Sequence, residues 1–193
     1  MSQFQLYFEL GYKHILDLKG FDHILFVIAL CAIYLARDWK KILILVTAFT
    51  IGHSITLALA TLNVIKVNSD LIEFLIPVTI AITALANIFK PKPSNSRGIQ
   101  LNYIFAIFFG LIHGMGFSNY LRSLLGREAS IFQPLLAFNI GLEVGQLLIV
   151  VLFLLASSLL VGLIGVNRKE WTLVISAVVL GMSIMMMIDT KFW

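Results

Sequence analysis

The sequence is poor in cysteine and in charge, and each shortage removes a class of protein. Cys31 is the only cysteine in 193 residues, so there is no internal disulfide and no cysteine metal cluster. It sits in an apolar run, where a buried small hydrophobe is the simple reading. Charged residues make up only 12% of the chain, against 60% hydrophobic. A soluble domain carries roughly 25% charged residues, so too little charge remains to coat a water-facing surface. The mean hydropathy is +0.97. No stripe of basic residues interleaved with aromatics is present, which sets nucleic acid aside despite a net charge of +4. The N-terminal stretch MSQFQLYFELGYKHILDLKG lacks a basic start, an apolar core and a small-residue cleavage site, so no signal peptide is expected.

What is present is apolar sequence in lengths that suit a bilayer. Charge is clumped into runs such as Arg37-Asp38-Trp39-Lys40-Lys41 and Lys90-Pro91-Lys92-Pro93. Between the runs, about six stretches approach the roughly 20 residues a membrane helix needs, at 20–36, 41–62, 71–89, 99–117, 132–160 and 170–189. Residues 3–18 form a shorter unit. Phe4, Phe8, Gly11, Ile15 and Leu18 fall near one helical face and Glu9, Lys13 and Asp17 on another, as in an amphipathic helix at the interface or tucked against the bundle. The expected architecture is one all-α transmembrane domain over 1–193, with an amphipathic segment 1–19, a first three-helix half 20–89, a polar linker 90–98 and a second three-helix half 99–193. The loops after spans one, three and five hold eight basic residues and the other side six. That bias places both termini outside an inner (plasma) membrane.

The halves share sequence. Gly20 and His23 correspond to Gly110 and His113, 90 residues on. Ala48, Phe49, Ile51 and Gly52 correspond to Ala137, Phe138, Ile140 and Gly141, 89 residues on. With three spans in each half the second half is inverted, a plan that puts a functional site near the midplane where the repeats meet.

All four histidines, His14, His23, His53 and His113, lie in or beside apolar spans, as do Asp22 and Glu143. A charge at the bilayer centre costs roughly 2.5–3.5 kcal/mol on insertion scales, so such groups seek partners inside the bundle. Asn139, Glu143 and Gln146 are spaced i, i+4, i+7 on one helix face, and Thr50, His53 and Ser54 share a side of another. Imidazole with carboxylate is a ligand set for nickel, zinc, cobalt or ferrous iron. Asp22, His23, His53, His113 and Glu143 are therefore the candidate ligands, with His14 at the mouth of the site. Simpler roles compete. Asp22 could cap a helix, His14 could be interfacial, and each histidine could be a packing residue. The GxxxG patterns at Gly110/Gly114 and Gly141/Gly145 are explained by close helix packing, and Met182, Met185, Met186 and Met187 by lipid-facing or packing methionine.

Four segments resemble the HupE/UreJ family of membrane proteins linked to hydrogenase and urease maturation. They are Gly20-Phe21-Asp22-His23-Ile24-Leu25-Phe26, Gly52-His53-Ser54, Gly110-Leu111-Ile112-His113-Gly114-Met115-Gly116-Phe117 and Phe138-Asn139-Ile140-Gly141-Leu142-Glu143-Val144-Gly145-Gln146. The resemblance implies a nickel or cobalt permease in which Asp22 and His23 belong to the metal-recognition motif. The better-known branch has His-Pro where this chain has Leu16-Asp17, and a second histidine where this chain has Met115-Gly116-Phe117. The chain is thus similar to a second, shorter subfamily. Two functions follow as expectations. One is a transporter or facilitator of a divalent transition metal, nickel or cobalt, with metal as cargo. The other is an intramembrane hydrolase with zinc on the same ligands and Glu143 or Asp22 as general base. Against both stands a membrane subunit whose polar residues serve packing alone. The expected partners are the bilayer and a metal ion, and a homo-oligomer or membrane complex is compatible with the sequence.

Overall fold

The computed structural model describes residues 2–66, 68–89, 96–125 and 131–193. Every regular element among the described residues is helical. Most of the expected linker 90–98 lies outside the described residues, as do Lys90, Lys92 and Arg127.

Eight α-helices follow in chain order: α1 (Gln3–Ile15), α2 (Asp22–Cys31), α3 (Trp39–Thr61), α4 (Ser69–Phe89), α5 (Ser96–Gly116), α6 (Ser118–Leu125), α7 (Phe132–Ser157) and α8 (Arg168–Asp189). Four of them are long and apolar enough to cross a membrane, namely α3, α4, α7 and α8. A fifth is added if α5 and α6, bent by 50° at Phe117, count as one. The expected spans 41–62, 71–89, 99–117, 132–160 and 170–189 thus coincide with α3, α4, α5, α7 and α8. The expected first span does not form a continuous crossing. Its helix, α2, has ten residues, about 15 Å at 1.5 Å per residue, half the roughly 30 Å hydrocarbon core.

The N-terminal unit is tucked against the bundle. Tyr7, Gly11 and Ile15 are its buried residues, while Leu18, expected on the same face, is 81% exposed beyond the helix end. The helices pack chiefly in three pairs, α1 with α7, α3 with α5 and α4 with α8. Glycine sets the first two contacts. A Cβ on Gly11 would fall on the Phe138 carbonyl and crowd the Leu142 amide, and one on Gly141 would fall on the Phe8 carbonyl and crowd the Tyr12 amide. In the other pair a Cβ on Gly110 would meet the Phe49 carbonyl and the His53 amide, and one on Gly52 the Ile107 carbonyl and the Leu111 amide. Only a residue without a side chain lets two backbones approach so closely.

The two sets match contact for contact. Phe8, Gly11 and Tyr12 precede Ile107, Gly110 and Leu111 by 99 residues, and Phe49, Gly52 and His53 precede Phe138, Gly141 and Leu142 by 89. The 89-residue correspondence is the one read from sequence. For the other, the contacts set Gly110–His113 opposite Gly11–His14, not opposite Gly20–His23.

Candidate metal centre

The site forms where α1 stops and α2 starts. α1 ends at Ile15, whose side chain packs where a Cβ on Gly145 would fall. This holds His14, one residue earlier, toward the centre. The chain turns through residues 16–21, with Asp17 accepting the Lys19 amide at 2.9 Å. α2 then opens with Asp22, placed in the first turn where the helix dipole favours a carboxylate. Its Oδ1 accepts the backbone amide of His23 at 2.8 Å and lies 2.9 Å from His23 Nδ1. The N-cap position belongs to Phe21 and has no side-chain cap bond, so Asp22 acts on His23 from the first turn of α2 and not as its cap. His53 projects from the middle of α3 with no exposure at all. His113 comes from the last turn of α5, its Nδ1 2.9 Å from the Phe109 carbonyl.

These contacts fix two tautomers. A carbonyl oxygen can only accept, so neutral His113 carries its proton on Nδ1 and offers a lone pair on Nε2. A carboxylate likewise accepts from His23 Nδ1 and leaves His23 Nε2 as the free donor atom. This carboxylate–imidazole pairing is how metal-binding histidines are usually oriented.

The four rings converge. One nitrogen from each of His14, His23 and His53 lies within 4.8 Å of the other two. Ring centroids are 4.7 Å apart for His14–His23 and 5.9 Å for His23–His53, and His113 stands 5.2 Å from His23. Phenylalanines wall the group: Phe117 at 4.0 Å from His14, Phe26 and Phe49 at 5.1 and 5.2 Å from His113, and Phe138 stacked 6.4 Å from His53. Nε2 of His14, His23 and His113 and both nitrogens of His53 are buried without a hydrogen-bond partner. An orphaned buried polar group costs about 1–3 kcal/mol, so histidines retained for packing alone would be paired. Donor atoms around a zinc-sized ion, with M–N about 2.0–2.1 Å, stand roughly 3.0–3.4 Å apart. An all-nitrogen set suits the later first-row metals.

Glu143 is placed differently from its neighbours in the expected set. It is half-buried and accepts a hydrogen bond from Thr47 Oγ1 at 2.9 Å. One turn on, fully buried Gln146 accepts from Thr50 Oγ1 at 2.7 Å. Asn139 turns back to the Leu135 carbonyl of its own helix at 2.9 Å. The polar face of α7 therefore bonds to α3 and to itself. Sequence reasoning passed over the phenylalanine wall, although Phe26, Phe117 and Phe138 stand inside the conspicuous motifs. It also passed over Thr47, which carries no signal beyond being polar in an apolar helix.

Residues 1–191 match the protein-family model described as HupE / UreJ protein, and the chain belongs to that family. No curated protein and no solved structure matches it.

Proposed function

We propose that the protein carries a divalent transition metal, nickel or cobalt, across the inner membrane, and that His14, His23, His53 and His113 hold the ion in transit. The observation that carries this reading is the convergence of three imidazole donors within 4.8 Å, in an apolar interior that leaves Nε2 of His14 and His23 and both nitrogens of His53 unpaired. Membership of a family associated with metal transport supports it. Asp22 orients His23 and supplies the one negative charge at the site. Glu143 serves the α3–α7 contact through Thr47 and stands outside the ligand group. Neutral nitrogen ligands suit a cargo that must also leave, because an ion held too tightly is not transported.

The same reading takes α1 with α2, and α5 with α6, as two interrupted crossings. With α3, α4, α7 and α8 these make six, three in each half, and an odd number inverts the second half. The matched glycine contacts at offsets of 99 and 89 support it. So does the meeting of the two interruptions, since the ring of Phe117, between α5 and α6, lies 4.0 Å from that of His14, at the end of α1. Interrupted helices that meet at a midplane site are the usual construction of inverted-repeat transporters.

One observation favours a hydrolase instead. At the 89-residue offset His53 corresponds to Leu142 and Ser54 to Glu143, so the ligands are asymmetric, as a catalytic zinc with an open position would be.

The test is nickel and cobalt uptake into proteoliposomes, with His23→Ala and His53→Ala variants alongside. Transport predicts saturable uptake in the unsubstituted protein that both variants abolish. Uptake no greater than in protein-free vesicles, together with one zinc retained through purification, would overturn transport and favour the hydrolase.

A further inference from the structure

α2 carries Asp22 and His23 at one end and is too short to hold itself in place. Helices under about 12–15 residues are marginal alone, and the last carbonyls of any helix lack intrahelical partners. In an apolar medium those carbonyls must be satisfied by something nearby. Three side chains from two other helices bond the backbone at this end of α2, one in its last turn and two at the residues just beyond it. Asn87 Nδ2 of α4 donates to the Ala29 carbonyl at 2.7 Å. Thr172 Oγ1 of α8 donates to the Ala32 carbonyl at 3.0 Å. Arg168 Nη2, at the start of α8, donates to the Ile33 carbonyl at 2.7 Å. Asn87 is 7% exposed and Thr172 not at all. Arg168 also places a cation at the negative end of the α2 dipole.

We infer that Asn87, Thr172 and Arg168 are positioning residues, which set His23 within the imidazole group by holding the far end of α2. α4 and α8 are packed against each other, so the three side chains tie α2 to that pair. His14 is carried by α1, His53 and His113 by α3 and α5, and Asp22 and His23 by α2, which packs against α7 as well as against α4 and α8.

The inference rests on the metal reading above, and the experiment separates the two. Cobalt(II) is titrated into the full chain in detergent, following the visible d–d absorption, for the unsubstituted protein and for Asn87→Leu, Thr172→Val and Thr172→Ser. Thr79→Val is the control. Thr79, on α4, is a buried threonine like Thr172, but it bonds to the Ile76 carbonyl of its own helix at 2.7 Å. Loss of an outer partner of a metal ligand typically weakens binding 10–100-fold. We expect Asn87→Leu and Thr172→Val to weaken cobalt about tenfold and to alter the band shape, with Thr172→Ser and Thr79→Val like the parent. Unchanged affinity and spectrum in Asn87→Leu and Thr172→Val, while the parent binds, overturns the positioning role and leaves the metal site standing. No binding by the parent sinks both.

Discussion

Replacing Gly110 by alanine tests whether the imidazole spacing depends on backbone contact between α3 and α5. A Cβ there would overlap the Phe49 carbonyl and press on the His53 amide. Carbon atoms rest about 3.5–4.0 Å from their neighbours, so the helices must part by at least about 1 Å. Both carry ligands, His53 on α3 and His113 on α5. Overpacking of this kind costs typically about 1–3 kcal/mol, against a propensity gain for alanine over glycine of roughly 0.5–1 kcal/mol. Gly181, within α8, is the reference, because a Cβ there meets nothing within 4 Å. Thermal unfolding in detergent should therefore show Gly181→Ala equal to the parent or slightly more stable. Gly110→Ala should fall by several degrees, at roughly 2–4 °C per kcal/mol for a chain of this size. Cobalt binding should weaken at least about tenfold in Gly110→Ala only. If Gly110→Ala melts and binds like Gly181→Ala, the close packing of α3 on α5 does not set the ligand spacing.

Asp22→Asn should weaken cobalt binding about 10–100-fold by loosening the His23 tautomer and orientation, measured by the same titration. Glu143→Gln, which keeps an oxygen for Thr47, should change affinity less than about threefold. A larger loss would return Glu143 to the ligand group. Single cysteines placed at Lys40 or Lys169 in a Cys31→Ser background should react with an impermeant thiol reagent from the cytoplasmic side only. Labelling from outside would reverse the orientation inferred from the basic loops.

Much of this architecture was legible because hydropathy and helical period are local. Five of the six expected spans coincide with helices, since an apolar run bounded by charge has one good solution in a bilayer. The sixth was hidden by the same rule. Residues 20–36 are apolar, yet the α-helix covers only Asp22–Cys31, because the chain turns at 16–21 before it and again after Cys31. Gly20–His23 and Gly11–His14 share the same G-x-x-H spelling, and the close packing of Gly11 on α7 is what sets them apart. The histidines announced themselves as polar groups in apolar helices. Glu143 gave the same signal, but its partner Thr47 lies 96 residues away, and no periodicity reports such a contact. Asn87 and Thr172 were invisible for the same reason, their partners being backbone carbonyls 58 and 140 residues distant.

X-ray absorption at the nickel edge, on protein loaded with one equivalent of nickel, bears most directly on the central claim. At least three nitrogen neighbours near 2.0–2.1 Å are expected, with the outer scattering of imidazole ring carbons, and that scattering should be weaker in His53→Ala. Oxygen neighbours alone, or an imidazole signal undiminished in His53→Ala, would contradict the site.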